Sequence, residues 1–420
     1  MRSYGPPKRK RRQHDGVVAS ETVFDDVERD DPTHGRFAET TFEILNRAPG
    51  PYWGRVRDLA EEWFARLCAE GQAHVRSRLR ARDDRQFRAG FWELYCHESL
   101  LRLGYEIACE PDLPGVARRP DFRAEGRSGS FVMEATVVGE SDQQAASDRR
   151  EAEVLDVIDR VQTDCFFLSL ITHSIGPAAP PAALLRRQLT RWLEHIDPDE
   201  VMQAIETEGH TFGPTVPAYV WKDAGWHVTF RPIPIKPEAR GKPGLRPIGM
   251  RGPGEAYILD ETTPLRGAIK DKAGAYGSLG MPYIIAAQMD SFSPDDFPVA
   301  NALFGHEQVT MRITPDGGIE HASTRAPDGV WFGPAGIQNR RLSAVLFSPY
   351  LRPWTVATTV PTLWHHPLAE LPAKVDGAPW RIARVDGSGR IGYENPLNPA
   401  RQFFGLSQDW PGPESAWPSD

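Results

Sequence analysis

Lysine is scarce in this chain of 420 residues: eight occur, and none lies between Lys10 and Lys222. Histidines apart, every basic side chain across that span is therefore arginine, which clamps anions well but is permanently protonated and a poor proton shuttle. Cysteine is equally sparse. Cys68, Cys96, Cys109 and Cys165 follow no zinc-ligand spacing and are too few to frame so large a chain, so they are expected as small core residues. No apolar run nears the roughly 20 residues needed to cross a bilayer, and the basic start, residues 1–12, has no apolar stretch behind it. The expectation is a protein with no membrane span, signal peptide or membrane partner, located in the cytoplasm. There is no Gly-Lys-Ser/Thr phosphate loop and no serine in a nucleophile elbow, which argues against ATP use and a serine hydrolase. The net charge of −8 excludes a globally basic nucleic-acid binder. Basic stretches are local: residues 8–12, and the run Arg76, Arg78, Arg80, Arg82, Arg85 and Arg88.

Residues 1–35 are polar and aperiodic, predicting a disordered basic arm. Apolar spacing predicts helices over 56–79 and 84–103, the second stopped by Gly104. Strand-like runs follow at 105–109, 121–124 and 130–138, then a helix at 143–162 and a continuously apolar strand at 165–175. Residues 36–200 are thus expected to hold the N-terminal helices and the core, and 201–375 an α+β extension able to complete the core sheet. Within it, 234–254 reads as a long loop, 261–276 as a helix and 282–288 as a buried strand. The Pro-, Gly- and Trp-rich residues 376–420 predict an irregular tail.

Chemistry concentrates on two carboxylates. Asp121 opens one strand run after Pro120, and Glu134 interrupts Phe131-Val132-Met133 and Ala135-Thr136-Val137. A carboxylate inside such a strand costs several kcal/mol, roughly, unless it is paired or bound to metal. Converging carboxylates repel, and a hard divalent cation relieves them. The bland alternatives are that Asp121 caps a turn and that Glu134 pairs with an arginine. On the preceding helix, Glu93 lies eleven residues before Gly104, whereas Glu98 sits nearer the apolar stripe.

The order helix, three strands, helix, strand, with Glu93, Pro120-Asp121 and Glu134-Ala135-Thr136 in place, resembles the PD-(D/E)XK nuclease superfamily. The likeness covers residues 84–175. It implies an α/β fold with an αβββαβ restriction-endonuclease-like core, a mixed sheet flanked by helices, and an α+β C-terminal extension. It further implies Mg²⁺ or Mn²⁺ held by Asp121, Glu134 and Glu93, and cleavage of nucleic acid, DNA above RNA. One element departs from the pattern. The family lysine expected two residues after the glutamate is Thr136, which donates a hydrogen bond but no charge. The replacement must be an arginine or come from the C-terminal half, where Lys272 falls on the apolar side of its helix with Leu265, Ile269 and Tyr276. The alternative is a catalytically inactive nuclease-fold protein that binds nucleic acid or a protein partner.

Overall fold

The computed structural model describes residues 22–115, 118–139, 142–242, 245–253, 260–291, 293, 295–313, 318–386 and 389–413. The basic stretch 8–12 lies outside them. Residues 22–35 pack against the first helices: Glu61 accepts hydrogen bonds from the Val23 and Phe24 N–H groups at 3.1 and 2.7 Å, and Val23 and Phe24 are buried. Arg80 secures the same segment through the Val23 carbonyl and Asp25.

Four helices open the fold: α1 (Thr41–Arg47), α2 (Gly50–Arg66), α3 (Ala69–Leu79) and α4 (Asp84–Arg102). Thr40 and Glu43 form a reciprocal capping box at α1, satisfying N–H groups that the first turn cannot pair internally. Asp83 caps α4, and Gly104, at φ 79°, takes the left-handed conformation that turns the chain into the sheet. Three antiparallel strands follow, β1 (Glu106–Cys109), β2 (Phe122–Gly126) and β3 (Gly129–Val138).

Here the structure departs from the expected order. The segment after β3 forms α5 (Asp142–Ile158), β4 (Phe166–Ser174), α6 (Ala182–Leu193), α7 (Pro198–Glu208), β5 (Tyr219–Asp223), β6 (Trp226–Pro234) and β7 (Ile248–Pro253). These build a separate four-stranded sheet of order β5-β6-β4-β7, with its own core around Leu168, Leu189 and Phe230. The strand expected at 165–175 forms, but pairs with β6 and β7 instead of joining the first sheet. Part of the expected loop at 234–254 is β7.

The strand beside β3 is β8 (Tyr283–Met289), parallel to it and reached through α8 (Thr262–Ala273). Then come α9 (Phe297–Phe304), the hairpin β9 (Glu307–Ile313) and β10 (Ile319–Arg325), the short pair β11 (Phe332–Gly333) and β12 (Gly336–Ile337), β13 (Leu342–Pro349) and β14 (Thr362–His365). The residues expected as an irregular tail supply β15 (Arg381–Val385), β16 (Ile391–Glu394) and α10 (Ala400–Phe403). The main sheet is thus mixed and eight-stranded, in the order β1-β2-β3-β8-β13-β14-β15-β16. Its tail is anchored by indoles and rings: Trp380 is buried with its N–H on the Tyr95 hydroxyl at 3.2 Å, and Phe404 packs on Trp63.

Side chains of a strand alternate between faces, and this alternation decides what meets what. Met133 and Ala135 face the α1–α4 layer with Ile284 and Ala286. Val132 and Val138 face the α8–α9 layer with Ile285 and Ala287. Glu134 and Thr136 belong to the α8 side by the same period. The Trp92 indole N–H donates to the Ala286 carbonyl at 2.9 Å, fastening α4 across the sheet centre. Two cysteines expected as isolated core residues, Cys68 and Cys109, form a disulfide between the α2–α3 junction and the end of β1; Cys96 and Cys165 are free.

Candidate functional site

Glu134 is buried in the middle of β3. Its Oε1 accepts from Lys272 Nζ at 2.5 Å, and its Oε2 accepts from the Tyr276 hydroxyl at 2.5 Å. The partner is a lysine, where the bland alternative anticipated arginine. The encounter follows from geometry: Glu134 points to the α8 face, and Leu265, Ile269 and Tyr276 are buried there, drawing Lys272 over the sheet. Lys270, a poor candidate from periodicity, reaches the Asp328 carbonyl instead.

Asp121 sits just before β2, next to the end of β1, where the Glu110 N–H donates to the Asp121 carbonyl at 2.9 Å. Its Oδ2 accepts the Ala135 N–H at 2.6 Å, so the carboxyl is held against the β3 residue that follows Glu134. Part of the residue's surface stays accessible, yet the protein packed around the carboxyl desolvates it. That desolvation, followed by the nearby Glu134 charge, raises its pKa to about 7, against smaller lowering effects of the Ala135 N–H, Lys272 and Arg78. Burial and the Glu134 hydrogen bond likewise push the Tyr276 phenol up, keeping it a donor.

Glu93 comes from the opposite layer. It is buried on α4 and paired with Arg78 of α3. Desolvation lowers the Arg78 pKa, while Asp121, Glu134 and Glu110 oppose that shift. Glu98 is buried as well, but Arg66 and Arg102 engage it, on the side where α2 and the tail pack. Geometry therefore separates the two candidates: Glu93 joins the site, and Glu98 belongs to a structural arginine cluster.

A polar cavity of about 190 Å³ opens at this point, and its lining includes Arg78, Arg85, Glu93, Thr136 and Lys272. The structure thus brings Glu93, Thr136 and Lys272 to one opening, with Glu134 beside it on Lys272 and Asp121 within reach of the Glu134 charge. They do not form a tight triple-carboxylate cluster. Among the described residues, the three-member set with all potential ligand atoms within 4.8 Å is Cys68, His97 and Cys109. Of the arginine run, Arg78 and Arg85 reach the cavity, whereas Arg76 and Arg80 hold the N-terminal segment and Arg88 pairs with Asp290. Tyr276 and Arg78 are polar partners not expected from the sequence; for Tyr276 the helical period with Lys272 was the available signal, although α8 ends at Ala273.

Comparison with protein-family models, with curated proteins and with solved structures found no match. No helix among the described residues is long and apolar enough to cross a membrane.

The raised Asp121 pKa has a definite sign in stability. Between its ordinary value of 3.8 and about 7 the folded protein holds a proton that the unfolded chain has released, so this group's contribution falls as pH rises through that window. Thermal midpoints of wild type and Asp121→Asn, measured between about pH 4.5 and about pH 8, are expected to approach each other toward the acid end. They are expected to diverge toward pH 8 in favour of the variant, by on the order of 1–2 kcal/mol after solvent screening. Parallel curves would remove Asp121 as the titrating group.

Proposed function

We propose that the chain is a metal-dependent nuclease whose site is assembled from both halves of the sequence. One observation carries this reading: Asp121, just before β2, and Glu134, on the neighbouring β3, lie close enough for the Glu134 charge to act on Asp121, and α8 places Lys272 Nζ 2.5 Å from Glu134. The αβββαβ order is also recovered when it is counted as α4, β1, β2, β3, α8 and β8, with α5–β7 as an insertion. This order supports a restriction-endonuclease-like core.

The carboxylates fit a hard cation. Burial first, and the nearby Glu134 charge second, make Asp121 bind a proton unusually well, and a divalent ion would offset the negative charge of both carboxylates. Asp121 and Glu134 would hold Mg²⁺ or Mn²⁺, with Glu93 reaching the same opening from α4. When bound, the ion supplies Lewis acidity and lowers the pKa of water. The chain's own residues do the rest. Lys272 offsets charge building on the phosphate and can yield a proton, Thr136 donates a hydrogen bond, and Arg78 with Arg85 steers the anionic backbone into the cavity.

A second reading rests on the same contacts. Lys272 and Tyr276 occupy both oxygens of Glu134, and Arg78 occupies Glu93, a self-neutralised arrangement suited to a protein that binds nucleic acid or a partner without cutting. Incubation of plasmid and single-stranded DNA with the protein and Mg²⁺ or Mn²⁺ separates the two. Cleavage by wild type that chelation stops and Asp121→Ala abolishes supports the nuclease. Binding without cleavage in either metal supports the second reading, and equal cleavage by Asp121→Ala rejects the site.

A further inference from the structure

A second cluster of ligating side chains gathers at the C-terminal end of β1. Cys68 caps the start of α3, Cys109 ends β1, and His97 projects from α4. One potential ligand atom from each lies within 4.8 Å of the others. Cys68 and Cys109 are bridged here by a disulfide, and a disulfide needs no histidine. Yet His97 is 3% exposed, and its Nδ1 is buried without a hydrogen-bond partner among the described residues. Buried polar atoms are rarely left in that state, so the His97 Nδ1 calls for a role.

We propose that Cys68, His97 and Cys109 of the reduced protein bind one thiolate-seeking divalent cation, of which Zn²⁺ is the representative, at a site separate from Asp121 and Glu134. Two thiolates and one imidazole are a recognised zinc donor set. The charge balances, since two thiolates and a neutral imidazole bring a divalent ion to zero net charge, which suits a buried setting. Burial holds the His97 imidazole well below its ordinary pKa, at about 4, so its lone pair is free for a metal at neutral pH. The disulfide and the metal are alternative states of one cysteine pair. A dithiol reductant donates two electrons and two protons, opening the bridge to two thiols as it becomes a disulfide itself; the cation then displaces the two thiol protons. Because Glu110, next to Cys109, hydrogen-bonds the Asp121 carbonyl, the cluster also anchors the strand end that presents Asp121.

The test uses the full chain, reduced, freed of metal and handled without oxygen, then titrated with Co²⁺ and challenged with Zn²⁺. The expected result is a thiolate-to-cobalt charge-transfer band saturating at one equivalent, displaced by Zn²⁺, absent from the oxidised protein and lost in Cys109→Ser. His97→Ala is expected to weaken binding, while Asp121→Ala and Cys165→Ser keep the full band. Retention in Asp121→Ala separates this site from the proposed nuclease centre, whose failure would leave the band intact. Absence of the band from reduced wild type, or an unchanged band in Cys109→Ser, overturns the proposal. A second measurement needs no variant: Zn²⁺ is expected to protect Cys68 and Cys109 of wild type from alkylation, mapped by mass. Equal labelling with and without Zn²⁺ also overturns it.

Discussion

Glu134→Ala is expected to lower metal-dependent cleavage by about three orders of magnitude, the loss that goes with several kcal/mol of metal-derived transition-state stabilisation. The carboxylate is central to the site: it lies buried on β3, receives Lys272 and Tyr276, and its charge adds to the burial that raises the Asp121 pKa. Removing it also leaves the Lys272 ammonium and the Tyr276 hydroxyl without their acceptor, a cost to folding of about 1–3 kcal/mol. Glu134→Gln keeps the shape and one acceptor oxygen, so its fold should survive while activity falls nearly as far. Single-turnover rates on a labelled duplex, read with circular dichroism and thermal midpoints, separate the effects. A Gln variant that folds and cleaves like wild type removes Glu134 from the chemistry.

Lys272→Met is expected to reduce turnover by about 10²–10³, the range for losing one preorganised donor to a developing negative charge. The methionine keeps much of the stem's packing, and only the ammonium is lost. Lys272→Arg restores the charge on a group that stays protonated, so partial recovery would separate electrostatic support from proton transfer. A stronger test places Thr136→Lys on the Lys272→Met background. Thr136 shares the Glu134 face of β3 and lines the cavity, so an ammonium introduced there should recover part of the lost rate. Unchanged rates in Lys272→Met would confine the lysine to a structural ion pair.

Much of the site was legible because its parts are local. Asp121 and Glu134 flank a short turn between antiparallel strands, and a carboxylate in an apolar run announces itself. Lys272 was legible through helical period alone, since Leu265 and Ile269 fix the face on which it falls. The strand pairing was not. The segments that became β4 and β8 are both nearly continuous apolar runs, and a strand covered on both faces reads alike in either sheet. Nothing local states that β3 skips the whole α5–β7 insertion to pair with β8.

Glu93 and Glu98 show a different limit. Residues 90–100 of α4 are all buried, so the helix has no solvent side at its centre, and an amphipathic wheel cannot rank its two acids. The partners rank them: Arg66 and Arg102 for one, Arg78 at the cavity for the other. The Cys68–Cys109 link was illegible for a simpler reason. The pair is 41 residues apart, and cysteine spacing does not encode which strand end a loop will meet.

In the proposed nuclease, Asp121 and Glu134 together make cleavage depend on a divalent ion, with Lys272 completing the site from α8. The most direct measurement is the single-turnover rate on an end-labelled DNA duplex as Mg²⁺ is titrated, for wild type and for the Asp121→Asn, Glu134→Gln double variant. A saturating Mg²⁺ dependence in wild type that vanishes in the folded double variant is the predicted result. Wild-type protein that leaves the duplex intact at every Mg²⁺ and Mn²⁺ concentration, or a double variant that matches its rate, would contradict it.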